Sequence, residues 1–315
     1  MTLTDDAKTA VALTTRLGSP ERPSLTPKMW HELERALRDA GYRPVDVFDK
    51  SVDLSSVPGI SKDTHDRIRR LTSDAGSAML EVDELSHRGI WTTTIFDYGY
   101  PHGLIDRLGH NAPPVIFGSG NIGLLSKPGI GIVGSRDVTD EGAEVAKALA
   151  RKAVSLGMSV VSGGAKGVDQ LDMIAAFSDR GTVVGVLADS LIGRIRQPET
   201  LQALDEGTVC LLTQQAPSSG FTPAAAMARN KIVYALSALT AVVASDEESG
   251  GTWSGAVEAL RAENGIVAVW RGPGEGPGNE ALEKAGALPI RAPAELSDLL
   301  DTETHSEQMS LDWAP

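Results

Sequence analysis

The sequence predicts an α/β fold: a doubly wound, mostly parallel sheet preceded by a small helical domain. Two observations predict it. From residue 129 onward, short uninterrupted apolar runs alternate with amphipathic or alanine-rich stretches of helical length. That is the pattern of strands buried on both faces by crossover helices. Before residue 86 the alternation is missing, and apolar residues recur at helical spacing between turn residues. A length of 315 residues suits roughly two domains at ~150 residues each. The expected division is a helical domain over 1–85, a connector with short strands over 86–128, the wound sheet over 129–300 and an acidic tail over 301–315.

The elements follow in order. Pro27 to Ala40 is an amphipathic helix with Trp30, Leu33 and Leu37 on one side. Val57-Pro58-Gly59-Ile60-Ser61 and the stretch Lys62 to Leu71 resemble a helix-hairpin-helix (SAM-like) element, with Arg67, Arg69 and Arg70 just downstream. Such a turn either joins two packed helices or offers backbone N–H groups to phosphate. The connector contains short strands, Ile90 to Ile95 and Val115-Ile116-Phe117, punctuated by Tyr100-Pro101 and Pro113-Pro114. The later strands are Ile130–Val133, Met158–Val161, Thr182–Leu187, Val209–Leu212, Leu239–Ala244, Ile266–Trp270 and Leu288-Pro289-Ile290. Helices over Glu141–Leu156, Val168–Ser178, Pro198–Leu204, Pro223–Leu236 and Ser254–Glu263 separate them. The result is a Rossmann-like order, in which ligands bind beyond the carboxyl ends of the strands.

Composition excludes several functions. The single cysteine, Cys210, lies in the apolar run Val209-Cys210-Leu211-Leu212, so a disulfide framework or thiolate metal cluster is not expected. The start lacks a basic segment followed by an apolar core, and no uncharged apolar run approaches about 18 residues. A soluble, cytoplasmic protein without membrane contact is the expectation. The net charge of −13 argues against coating long nucleic acid by charge alone. Residues 271–315 are the most acidic part for their length, which leaves room for a local cationic pocket in the middle of the chain.

The strand ends carry the candidate chemistry. Gly134-Ser135-Arg136 follows the first strand of the wound sheet. The glycine lets a ligand approach the backbone, the next helix presents its N-terminus, and Arg136 adds a fork suited to phosphate. Gly129, Gly131 and Gly134 match the spacing of a dinucleotide fingerprint, but the strand lies inside the motif instead of before it, so no such cofactor is expected. Ser162-Gly163-Gly164-Ala165-Lys166-Gly167 ends the second strand and supplies a hydroxyl, a cation and small residues. It is not a P-loop, because Lys166 is followed by Gly167; Asp169 beyond it reads as a helix cap. Arg229-Asn230-Lys231 interrupts an alanine-rich helix, where two cations must face solvent, a ligand or a carboxylate. Ser249-Gly250-Gly251-Thr252 offers hydroxyls and backbone N–H groups ahead of a helix, although Asp246-Glu247-Glu248 precedes it. Each of these turns also has a plain structural reading. The six histidines lie away from these strand ends in sequence. No nucleophile-base set and no metal-ligand spacing is readable, so neither catalysis nor a cofactor or metal is expected.

Taken together and in this order, the segments resemble the DprA/Smf DNA-processing family over roughly residues 10–270. Tyr100-Pro101-His102-Gly103-Leu104 is similar to its Tyr-Pro-x-x-Leu connector, and Ala112 to Phe117 to the strand after it. Val133 to Arg136 is similar to its Val-Gly-x-Arg, and Ser162 to Asp169 to its Ser-Gly-x-Ala-x-Gly-Ile-Asp. Arg229 to Val233 is similar to its Arg-Asn-Arg-Ile-Ile, and Ser249 to Thr252 to its Ser-Gly-Ser loop. Asp172-Met173, Thr213-Gln214 and Ala226-Met227 depart from the pattern. The resemblance therefore implies a divergent member, without the C-terminal winged-helix module. It also implies a homodimer that binds single-stranded DNA and assists loading of a RecA-type recombinase in recombination or transformation. Gly134, Ser135, Arg136, Ser162, Gly163, Gly164, Lys166, Gly167, Arg229, Asn230, Lys231, Ser249, Gly250, Gly251 and Thr252 would then hold DNA phosphates, with Arg136, Lys166 and Arg229 lining one cationic pocket.

Two alternatives share the fold. One is a LOG-type nucleoside-monophosphate phosphoribohydrolase, whose Gly-Gly-x-Gly-Thr-x-x-Glu loop is similar to Gly250-Gly251-Thr252 with Glu258 downstream. The other is a nucleotide-sensing module of a defence or toxin-antitoxin system. At the end of the chain, Gln308, Leu311 and Trp313 fit a Gln-x-x-Leu-x-aromatic peptide behind an acidic tether. Such a peptide docks on the replicative sliding clamp or folds back on its own chain.

Overall fold

The computed structural model describes residues 3–18, 23–164 and 167–301. The N-terminal part is helical: α1 (Asp5–Thr14), α2 (Pro27–Asp39), α3 (Lys62–Ser73) and α4 (Ala75–His87). Thr26 caps α2 by accepting from the Met29 N–H, and Pro27 occupies the first turn, where its missing N–H costs nothing. That helix buries Trp30, Leu33 and Leu37. Before α3 the chain turns at Gly59 with φ +89°, and the Ser61 side chain caps the helix.

The connector contributes β1 (Trp91–Thr94), α5 (Gly103–Leu108) and β2 (Val115–Gly120). Then come β3 (Gly129–Val133), α6 (Asp140–Ser155), β4 (Val160–Ser162), α7 (Val168–Ser178) and β5 (Val183–Val186). The chain continues through α8 (Leu191–Arg194), α9 (Pro198–Asp205), β6 (Val209–Thr213), α10 (Pro223–Leu236) and β7 (Ser237–Val242). It ends on α11 (Gly250–Ala262), β8 (Ile266–Trp270), α12 (Asn279–Lys284), β9 (Leu288–Ile290) and a helical stretch over 295–301.

Among the described residues nine strands form one sheet in the order β1-β2-β6-β5-β4-β3-β7-β8-β9. From β6 to β9 every pairing is parallel, whereas β1 on β2 and β2 on β6 are antiparallel. The α/β, Rossmann-like expectation is met. The connector strands β1 and β2 extend this sheet at the β6 edge. From β3 the chain winds outward to β6, then returns over α10 to β7 and winds the other way. β3 and β7 are neighbours, so the topological switch point lies between them.

Strand residues alternate between two packed layers. Ile130, Ile132, Leu239, Ala241 and Ala268 share a core with Ala146, Leu149 and Ala150 of α6 and Ala175 and Ala176 of α7. Val133, Val242, Val267 and Val269 share the other with Ile232 and Val233 of α10 and Ala256 and Ala259 of α11. The helical domain adds Leu13, Trp30 and Leu85 to the first core, together with Val115 and Phe117 of β2. Trp30 meets Phe96 edge-on at 6.2 Å between ring centres. Cys210 is buried in the second core, and burial pushes its thiol pKa up. Among the described residues no helix is long and apolar enough to cross a membrane.

Candidate functional site

The switch point opens into a crevice of about 360 Å³. It is lined by Gly134, Ser135, Arg136 and Asp137 after β3, by Asp169 of α7, by Arg229, Asn230 and Tyr234 of α10, and by Asp246 and Ser249 to Thr252 around the start of α11. Three of the four segments singled out in the sequence thus supply named residues to one cavity, at the position the sheet rule selects.

The walls are tied together by the backbone. The Ser135 N–H donates to the Ala244 carbonyl at 2.8 Å, joining the ends of β3 and β7. Asn279, fully buried on α12, donates to the carbonyls of Val243 and Trp270, each at 2.8 Å. Its Oδ1 accepts from the Ser245 N–H at 2.9 Å. Asn279 thus holds the strand end that carries the Asp246 loop, a positioning role not read from the sequence. Its signal there was one amide beside the Gly272 to Gly278 turn.

Arg229 departs from expectation. Its side chain is buried and its Nη1 donates to Asp169 Oδ2 at 3.1 Å, with both side chains under a tenth exposed. The Asp169 carboxylate, expected to cap α7, is a partner of this guanidinium. Gly163 lies beneath the pair: a Cβ there would fall on the Arg229 guanidinium. This glycine makes room for an internal cation, not for a phosphate. Among the described residues, two buried polar atoms at the crevice find no hydrogen-bond partner, Arg229 Nε and Tyr234 Oη. Burial, and secondarily the Asp169 charge, raises the Tyr234 pKa, so its hydroxyl stays a neutral donor.

Arg136 is the opposite case. It is exposed on the rim, forms no ion pair among the described residues, and lies 5.6 Å from the centre of the Phe221 ring. Phe221 is itself 52% exposed. An exposed aromatic beside a guanidinium is a stacking platform for a planar group. Its signal in the sequence is a phenylalanine directly after the polar Ser218-Ser219-Gly220.

Helix termini also differ from expectation. The N-terminus of α6 is already served: Thr139 caps it, and Asp140 and Glu141 fill its first turn. At the crevice α11 presents an open N-terminus. It starts at Gly250, not at Ser254, with no side-chain cap and no acidic residue in its first turn. The glycines there also have a packing role. Gly251 accepts from Asn230 Nδ2 at 3.0 Å, and Gly255 lets Tyr234 and Asn230 approach. Just before them, Glu248 adopts φ +52°, unusual for a residue with a side chain.

The remaining expected residues fall elsewhere. Ser162 is fully buried, and its hydroxyl donates to the Ile132 carbonyl at 3.1 Å, inside the fold. Gly164 lines a neighbouring groove with Met173 and Leu187. Gly167, at φ +87°, packs on the backbone of Ser135 and Arg136. Lys231 points away from the crevice and pairs with Glu258 at 2.7 Å. Lys166 lies outside the described residues, as do Gln308, Leu311 and Trp313. The expected cationic pocket is thus mixed in charge over the described residues. Asp137, Asp169 and Asp246 accompany Arg136 and Arg229, and the Asp169–Arg229 pair neutralises itself.

Comparison with known proteins agrees with this architecture. The family model for DNA recombination-mediator protein A matches residues 91–301. DNA processing protein DprA of Bacillus subtilis is 32% identical over 185 residues, 58% of this chain and 61% of that protein. The Streptococcus pneumoniae protein of that name is 32% identical over 98 residues, 31% of this chain and 34% of the relative. The aligned part thus spans about three-fifths of the first relative's length and a third of the second's. The crystal structure of Streptococcus pneumoniae DprA superimposes with a TM-score of 0.65 at 20% identity, covering 95% of this chain and 98% of that one. The Helicobacter pylori DprA structure, which concerns that protein's single-stranded DNA binding mode, gives a TM-score of 0.53 at 22% identity over 68% of this chain and 96% of that one. With two thirds of the sequence inside the family model and the family's strand-end segments meeting at the switch point, this chain belongs to the DNA recombination-mediator protein A family.

Proposed function

We propose that this protein binds single-stranded DNA at the switch-point crevice and passes it to a RecA-type recombinase, acting as a DNA-processing protein of its family and not as an enzyme. The observation that carries the reading is the pairing of α11's uncapped N-terminus with the exposed Arg136–Phe221 rim. The first suits a phosphate and the second a base. Arg229 and Tyr234 form the floor beneath these two features. The acidic residues Asp137 and Asp246 limit how much negative charge enters. Binding would therefore rest on few phosphate contacts and on stacking, consistent with the overall charge of −13.

The test is a titration with labelled single- and double-stranded oligonucleotides at two salt concentrations. Wild type should prefer the single strand. Arg136→Ala should weaken binding and reduce the salt slope by about one phosphate contact. Equal binding of the two DNA forms, unaffected by Arg136→Ala, overturns the reading. The phosphoribohydrolase alternative loses its proposed acid: Glu258 pairs with Lys231 and does not line the crevice. Steady release of free base from nucleoside monophosphates, abolished by Glu258→Gln, would restore it. Homodimerisation and the clamp-binding peptide Gln308 to Trp313 belong to the same proposal. Sedimentation at micromolar concentration tests the first. Binding of a Thr304–Pro315 peptide to purified clamp tests the second.

A further inference from the structure

A second cleft, of about 370 Å³, lies where the helical domain meets the sheet. Its walls include Thr14 at the end of α1, Arg16 after it, Asn111 of the connector, Gln214 and Gln215 after β6, and Lys231 of α10. It differs from the crevice in charge. Two cations and three side-chain amides line it, and among the described residues no carboxylate does. Arg16 is exposed and forms no ion pair among the described residues. Lys231 spends one contact on Glu258, which leaves donors over, since an ammonium carries three. Gln214 and Gln215 stand at a strand carboxyl end, the edge of a wound sheet where ligands bind. The two cavities share α10: Arg229 and Asn230 face the crevice, while Ala228 and Lys231 face the second cleft. A helix is about 10–12 Å across, a span that a short run of nucleotides crosses.

We propose that this interdomain cleft is a second phosphate subsite, holding the backbone of the same DNA strand after it leaves the crevice over α10. The proposal rests on the reading of the crevice as a single-strand site. Arg16 supplies the principal charge, and the amides of Gln214 and Gln215 donate to phosphate oxygens. The second cleft carries the charge that the crevice lacks, so affinity should depend on strand length.

The experiment uses the full chain with labelled oligothymidylates of four, eight and sixteen nucleotides across a salt series. Arg16→Ala should weaken the sixteen-mer about five- to tenfold and lower its salt slope by about 0.7, the value for one single-strand phosphate. The four-mer should be unaffected, and Arg16→Lys should retain the slope. Gln214→Ala should weaken the sixteen-mer in the same direction. If Arg16→Ala and Gln214→Ala both bind every length as wild type while Arg136→Ala fails at every length, the second subsite is wrong and the crevice stands. If Arg136→Ala changes nothing and Arg16→Ala weakens all lengths equally, the cleft is a phosphate site but the crossing strand is wrong. Inorganic pyrophosphate provides the remaining arm. Saturable binding to wild type, lost in Arg16→Ala, with oligonucleotide affinity untouched, would assign the cleft to a free phosphate compound and overturn the strand path.

Discussion

The floor and the rim of the crevice each present an arginine, and the two do different work. Arg229 on the floor is enclosed, paired with Asp169 and seated on Gly163. Arg136 on the rim is exposed, lies over the face of Phe221 and forms no ion pair among the described residues. In sequence both stand in short motifs next to apolar elements and read alike. Burial separates them. A cation taken out of water needs a fixed counter-charge, and the ion pair that results holds α7 against α10. A cation left in water keeps its charge available to a ligand. The floor is therefore part of the scaffold, and the rim carries recognition.

The sharpest way to break that contrast is Arg229→Ala. It removes the guanidinium from the buried Asp169 carboxylate and should cost about 3–5 kcal/mol, read as a lower urea midpoint. Arg229→Met combined with Asp169→Leu should recover most of the loss. Unchanged stability with lost DNA binding would move Arg229 to the recognition side. Gly163→Ala comes next. Its methyl group displaces the guanidinium and should cost about 1–3 kcal/mol of stability with wild-type rim chemistry. Phe221→Ala should do the converse, leaving the melting temperature in place and costing about 1–3 kcal/mol of single-strand affinity for a lost stacked base. A fall in melting temperature would mark Phe221 as a packing residue. The smallest effect is expected of Arg136→Lys. It keeps the charge and the salt slope but loses the planar contact with Phe221, about 0.5–1 kcal/mol at an exposed site. A loss as large as that of Arg136→Ala would show that fork geometry, not charge, is what the rim supplies.

Much of the wound sheet was legible because parallel strands covered on both sides are continuous apolar runs. Ile130 to Val133, Val209 to Leu212 and Ile266 to Trp270 lie where they were expected. The β1–β2 extension was not legible as part of that sheet, because β2 pairs with residues about a hundred positions downstream and local pattern holds no trace of such a partner. The site was half legible. Grouping Arg229, Asn230 and Lys231 ignored that successive helical residues are turned by about 100°. Three in a row cannot face one cavity, and Lys231 turns to Glu258. Ser162 was misread because a hydroxyl at a strand end looks the same whether it meets a ligand or the Ile132 carbonyl. Gly250 and Gly251, poor helix formers, hid the true start of α11.

The antiparallel pairing of β2 with β6 also dictates an order of events during synthesis. β2 leaves the ribosome early, and its partner follows about a hundred residues later, roughly 5–20 s at ordinary elongation rates. Throughout that interval Phe117 and Ser119, which pair with β6 and are buried in the finished protein, have one covered flank at most, supplied by β1 and the helical domain. The nascent chain thus carries an unsatisfied strand edge until β6 arrives. Chains terminated before residue 209 should be the aggregating species in expression, and the N-terminal helices act as its temporary shelter.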